Sequence, residues 1–372
     1  MKIIAIVSSL ISREAYEAEW LSPVNHRLAD LALSTSRMLC PVQEVSLRIT
    51  ETRNKLHAFR SFRSPESFSR EAHRQNFSWG RCLIESKRND AFTSVWLLEG
   101  WSNRIADEYW QTNSNAPSLK DSESTHDPTG RFNLPLHTGA GLSFARRVIA
   151  RCLASPGTTR IREAADSFVQ LALERAVPQY FDCILEALGL VVRNLYPQFI
   201  ESFSSAMAAN SLDAFALFWH GVGRGLYFDP IHLIPGVPMR RWSLDEAVSS
   251  APGNCARANV LSGFFWALTL VNIRHPEVVT SFLGSRPVEQ WKRNAAAVSD
   301  GVSAALLVWH HLTGDTAITE HFLCHVPSRA HETLRPFWGD QIVALSRRRL
   351  TYEYETLRRD DRIADIFRFQ ER

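Results

Sequence analysis

Four residues carry the chemistry that this chain could do: Glu99, His137, His220 and Asp300. Each lies beside or close to a glycine in an apolar setting. The segments are Glu99-Gly100-Trp101, His137-Thr138-Gly139-Ala140-Gly141, His220-Gly221-Val222-Gly223-Arg224-Gly225 and Asp300-Gly301-Val302. A histidine with a glutamate or aspartate performs general acid–base work or ligates a metal. These four are the candidate catalytic residues. The residue types leave open whether a metal binds, and they name no cofactor. The competing reading makes them polar groups satisfied within helix packing.

A second set offers contacts to a ligand. Arg104, Arg146, Arg193 and Arg224 bring guanidinium groups, which pair with carboxylates or phosphates in a forked geometry. Buried Arg–Glu or Arg–Asp pairs explain the same residues. Trp101, Tyr227, His232 and Trp266 complete the ligand-binding candidates. The stretch from Trp219 to His232 holds the densest group of unusual residues and is the first choice for a functional surface. His321 and His325, four residues apart, fit one helix face and could share a metal. A surface of neutral histidines is the plainer account. No Gly-x-Ser-x-Gly elbow, His-Glu-x-x-His pair or phosphate-binding loop is present.

Helices must position these groups. Six apolar segments carry lead glycines at 100, 139, 189, 221, 263 and 301, spaced 32 to 50 residues apart. That is the spacing of helical-pair repeats. Glycine inside a helix costs about 0.5–1 kcal/mol against alanine. Small residues four positions on offer a reason: Gly139 with Ser143, Gly221 with Gly225, Gly263 with Ala267, and Gly301 with Ala305. Such stripes let helix backbones approach, and dispersion offsets the lost propensity. Gly100 and Gly189 have Arg104 and Arg193 at that offset, so different packing, or a face toward solvent or ligand, is expected there. Alternatively, Gly-x-Gly marks helix starts whose bare N–H groups bind an anion.

The expected fold is all-α, with repeat-derived helical pairs forming a solenoid-like or closed helical body. Residues 1–90 read as an irregular N-terminal cap region, with a helix over 15–33 and either strand or helix over 44–60. Residues 91–330 read as the helical repeat domain and 331–372 as a charged helical tail. Within the body, helices are expected over 91–110, 139–152, 161–176, 180–195, 199–210, 212–227, 256–273 and 295–312. Ser211 is a candidate cap for the helix beginning at 212, and Ser243 with Glu246 fits a capping box. Residues 111–135 form the longest loop candidate, a lid or a disordered excursion.

Composition narrows the function classes. Hydrophobic residues make 45% of the 372, enough for a substantial core. The 42 basic and 39 acidic residues leave a formal charge of +3, which does not suggest nucleic acid or an anionic membrane surface. Runs such as Arg347-Arg348-Arg349 read as solvated faces. The 6 cysteines lack metal-knuckle spacing and fit buried thiols in a reducing compartment. No long purely apolar stretch predicts a membrane span. Met1 to Ile11 has only a faint signal-peptide character, with no small-x-small cleavage site, so a cytoplasmic protein is expected.

Three segments, taken in order, resemble an uncharacterised bacterial helical family, the DUF1702 family. They are Leu98-Glu99-Gly100, then His137 through Arg146, then Gly221 through Phe228. Members of that family accompany enediyne and other natural-product biosynthesis genes. The resemblance spans roughly residues 91–312 and implies a bacterial setting with a biosynthetic or accessory role. It carries no catalytic residues across. The expected function is an accessory or small-molecule-binding protein, its partner an apolar small molecule or another protein. A helical enzyme with a His/carboxylate site and an interaction scaffold are the alternatives.

Overall fold

Each of the six lead glycines meets a backbone carbonyl of a neighbouring helix. The computed structural model describes residues 42–63, 86, 88–113, 115–120, 130–153, 158–229 and 239–369, and among them every regular element is helical. The helices are α1 (Val42–Phe62), α2 (Ala91–Asn113), α3 (Asn133–Leu153), α4 (Thr158–Arg175), α5 (Phe181–Leu195), α6 (Ile200–Asn210) and α7 (Leu212–Tyr227). There follow α8 (Met239–Ser250), α9 (Gly253–Val271), α10 (Pro276–Gly284), α11 (Val288–Lys292), α12 (Ala295–Thr313) and α13 (Thr316–Leu323). A final helix, α14 (residues 335–359), contains two π-helical turns, Trp338–Val343 and Arg349–Glu353. A 3-10 run, Ile363–Phe367, comes after it.

Helices α1, α2, α3, α5, α7, α9 and α12 pack in succession, and α14 packs on α12. Glycine sits at each crossing as far as α12. Gly100 faces the carbonyl oxygen of Phe62, Gly139 that of Glu99, and Gly189 that of Phe218. Gly221 faces the carbonyl of Glu186, Gly263 that of His220, and Gly301 that of Ser262. A side-chain carbon at any of them would lie under 3.0 Å from that oxygen, nearer than Cβ atoms come. Glu99, His220 and Ser262 each directly precede a lead glycine, so the crossings share a register. Asp300 precedes the last glycine. No described glycine meets its carbonyl; the Arg349 guanidinium on α14 does, at 3.4 Å.

Close packing therefore holds at Gly100 and Gly189 too, and the arginines four residues on do not prevent it. Gly139-Ala140-Gly141 and Gly221-Val222-Gly223 lie inside α3 and α7, so neither pair is a helix start with free N–H groups. The anion-binding alternative fails for that reason.

Local signals account for several boundaries. The Ser211 hydroxyl accepts from the Ala214 N–H and starts α7 as expected. Asp315 caps α13 through the N–H groups of Ala317 and Ile318. Gly314, at φ 66°, takes the left-handed conformation that ends α12. Residues 44–60 are helix, one of the two expected alternatives. Two expectations need correction. Ser243 and Glu246 lie within α8, which starts at Met239, so they form no capping box. Helix α2 runs to Asn113 and α3 begins at Asn133, which shortens the expected 111–135 loop at both ends; residues 121–129 lie outside the described residues, as do the expected helix over 15–33 and the opening segment.

One large apolar core runs from Ala58 on α1 to Phe367 after α14. Cys152 and Cys183 are buried free thiols, whereas Cys324 is exposed. No helix among the described residues is long and apolar enough to cross a membrane.

Candidate functional site

Arg224 on α7 is 1% exposed and needs counter-charge. It finds two carboxylates. Its Nη2 donates to Glu99 Oε1 on α2 at 2.6 Å, and its Nη1 donates to Glu186 Oε2 on α5 at 3.0 Å. The other oxygen of Glu186 lies 3.2 Å from Nδ1 of His220, one turn before Arg224 on the same helix face. Trp266 on α9 closes the group. Its ring lies 4.8 Å from the Arg224 guanidinium carbon and 6.4 Å from the His220 ring, edge to face. Phe367 adds a ring 6.2 Å from His220 and 5.6 Å from Trp266.

The glycine crossings produce this meeting. Glu99 and His220 precede the glycines that bring α2 and α7 against their neighbours, and Glu186 supplies the carbonyl facing Gly221. Backbones that close leave these side chains little route to water, and the charged groups pair with one another.

The two carboxylates behave differently. Burial pushes the Glu99 carboxyl above its ordinary range; Arg224 opposes this and the charge of Glu186 adds to it. Burial acts on Glu186 in the same sense, but Arg224 and His220 together bring it below its ordinary range. Burial alone would lower the Arg224 pKa, and the two carboxylates raise it. Glu186 is thus the fixed anion of the cluster, and Glu99 is the carboxylate nearer to taking a proton.

Three polar atoms of the cluster are buried without a hydrogen-bond partner: His220 Nε2, Arg224 Nε and Trp266 Nε1. In the neutral ring whose Nδ1 donates to Glu186, Nε2 presents a lone pair. The site therefore offers one acceptor and two donors.

The structure separates the other candidates. His137 is fully buried, but its Nδ1 donates to the Asn133 carbonyl at 2.7 Å and its Nε2 accepts from the Val177 N–H at 3.0 Å. Both ring nitrogens are used, Nδ1 within α3 and Nε2 in joining α3 to the segment before α5. Burial lowers its pKa to about 4. Asp300 accepts from Arg349 at 2.8 Å and from the Ser262 hydroxyl at 2.9 Å, a separate network between α9, α12 and α14. Arg349, 4% exposed, is not part of a solvated basic face. The convergence expected of four residues is met by Glu99 and His220 alone.

Among the ligand-contact candidates, Arg224 and Trp266 belong to the cluster. Trp101 is buried against Leu97, Leu98 and Leu136. Arg104 pairs with Glu108 at 3.0 Å, Arg146 with Asp107, and Arg193 with Asp229 at 3.2 Å. Tyr227 is buried, its hydroxyl accepting from Asn272 at 2.8 Å. His232 lies outside the described residues. His325 falls after the end of α13 and bonds Thr280, so it and His321 do not share a helix face. No group of three or more His, Cys, Asp or Glu among the described residues could hold a metal ion.

Sequence reasoning missed Glu186, Lys55 and Phe367. Glu186 was detectable, being the one charged residue in the apolar run from Cys183 to Val192. Lys55 on α1 is 1% exposed; its Nζ donates to the Tyr227 carbonyl at 2.9 Å and lies 3.8 Å from the centre of that ring. Nothing local marks Lys55 or Phe367, because their neighbours come from distant helices.

Compared with known proteins, the chain matches no family model, no curated protein and no solved structure.

Proposed function

We propose that this protein binds an apolar small molecule at the His220–Arg224–Trp266 face, as an accessory or binding protein in bacterial natural-product biosynthesis. The carrying observation is the set of unpartnered buried atoms: His220 Nε2, Arg224 Nε and Trp266 Nε1, on residues in mutual contact. A purely structural cluster gains by closing its hydrogen bonds, since each buried unsatisfied group costs about 1–3 kcal/mol. Three such atoms around one aromatic ring suit a ligand that supplies the missing partners. The apolar core beside them suits the rest of such a molecule.

The biosynthetic setting rests on the DUF1702-like glycine segments. The recurrent glycine crossings support, in the same way, a body derived from repeated helical pairs. Native mass spectrometry of the full chain, purified from a producing bacterium, tests the binding reading. A stoichiometric adduct that is weakened in Trp266→Leu is expected. A bare mass in every preparation overturns the reading.

One observation favours an enzyme as the second reading. Glu186 holds Nδ1 of His220 and leaves Nε2 open, the arrangement of a base oriented by a carboxylate. In that case His220→Gln abolishes turnover of the captured molecule while its adduct persists.

A further inference from the structure

Phe367 is 1% exposed, and its ring lies against both His220 and Trp266. It belongs to a five-residue 3-10 run, a form whose hydrogen bonds are weaker than those of an α-helix. Besides the burial of Ile363, Ala364 and Ile366, two polar latches hold the run down. The Phe369 N–H donates to Asn259 Oδ1 on α9 at 2.8 Å. Arg368 reaches Asp182 on α5 at 3.6 Å, Asp365 at 3.7 Å, and Asp213 at the start of α7. Asp213 is itself largely exposed, so this latch is partly open to water.

We propose that Phe367 fills the ligand's own seat, so that residues 363–369 are a displaceable plug and the ligand is a neutral planar molecule carrying a hydroxyl. The proposal rests on reading His220, Arg224 and Trp266 as a ligand site. A planar ring replaces the Phe367 ring against Trp266 with similar apolar area, so the burial lost on displacement is that of Ile363, Ala364 and Ile366. A hydroxyl accepts from Trp266 Nε1 or Arg224 Nε and donates to His220 Nε2. An anion is excluded by charge. Both terminal nitrogens of Arg224 already face carboxylates, and a new negative group would sit beside Glu99 and Glu186. A cation is excluded by the guanidinium already on the Trp266 ring.

The test uses the full chain and three probes: 2-naphthol, naphthalene and naphthalene-2-sulfonate. Arg368→Gln and Asp213→Asn weaken the latch while leaving Phe367 in place. Asp213→Asn changes an exposed side chain and keeps the experiment open if Arg368→Gln fails to fold. Both variants are expected to exchange the Phe369 amide faster and to bind 2-naphthol about tenfold tighter than the parent, by removing part of a closed-state bias. 2-Naphthol should bind more tightly than naphthalene, and the sulfonate should not bind. Adding Trp266→Phe to the latch variant should erase the preference for the hydroxyl. Faster exchange with unchanged naphthol affinity overturns the plug, as does unchanged exchange in both variants. Equal binding of the three probes overturns the ligand class. A native adduct on the parent chain alongside either failure leaves the binding site standing without the plug.

Discussion

Glu186 meets α7 twice: its carbonyl oxygen faces Gly221, and its carboxylate holds His220 and Arg224 on either side of that glycine. The closest backbone approach and the buried charge cluster are one crossing. A methyl at Gly221 therefore acts on both. Gly221→Ala should destabilise the fold by about 3 kcal/mol or more, since neither backbone can yield without moving the cluster. Gly339→Ala is the control. Nothing lies within 4 Å of its would-be Cβ, and its expected effect is neutral to about 1 kcal/mol stabilising. Urea unfolding of the two variants separates these outcomes.

Removing Arg224 strands two carboxylates. Arg224→Met should cost about 3–5 kcal/mol near neutral pH, the usual penalty for breaking a buried pair from one side. Adding Glu99→Gln and Glu186→Gln to Arg224→Met should recover much of the loss. The double and triple variants, compared by denaturant midpoint, check the coupling.

The two glutamates should show opposite pH slopes. Glu186 is held below its ordinary range, so its ionised form stabilises the fold at neutral pH, and this is lost as pH falls through its folded value. The cost of Glu186→Gln should shrink on acidification. Glu99 is raised by burial, so its contribution weakens as pH rises from its ordinary value through the raised one. Glu99→Gln should become less costly toward neutral pH. Stability curves for both variants read the slopes directly, provided that they extend below the ordinary carboxylate range, where the Glu186 contribution is lost, up to neutral pH.

His137 is a structural pH sensor. Its pKa falls from 6.5 to about 4 on folding, so the unfolded chain binds the proton first. Stability from the neutral ring is complete above pH 6.5 and is lost as pH drops toward 4, up to about 3 kcal/mol for a shift of this size. His137→Gln should flatten that part of the profile. An unchanged acid limb in the variant would assign the loss to other groups.

Asp182 works in the reverse sense at the C-terminal run. Burial raises its carboxyl to about 6; Arg368 opposes the shift, and Asp365 and Asp213 add to it. The packed arrangement favours the protonated acid between 3.8 and about 6, so stability there falls as pH rises. Protection of the Phe369 amide, corrected for intrinsic exchange, should be greater at pH 5 than at pH 7. Asp182→Asn should remove the difference.

The helical class, most helix boundaries and the close approach at the glycines were legible in the sequence, because period, caps and small-residue spacing are local. Ser211 and Gly314 mark their helix ends through their own backbone neighbours. The same local logic failed at Ser243 and Glu246. The spacing was right, but the helix begins earlier, at Met239.

For the site, the sequence by itself determined that Glu99, His220 and Arg224 sit beside helix crossings. It put His137 and Asp300 in the same position, and residue type could not tell them apart. Only the tertiary structure decided that α5 brings Glu186 between His220 and Arg224, while the Val177 backbone and the Arg349 side chain claim His137 and Asp300. A glycine fixes how near two helices come. Which polar group lies opposite depends on the rotation and register of a helix distant in the chain, and those are set by burying the whole core at once.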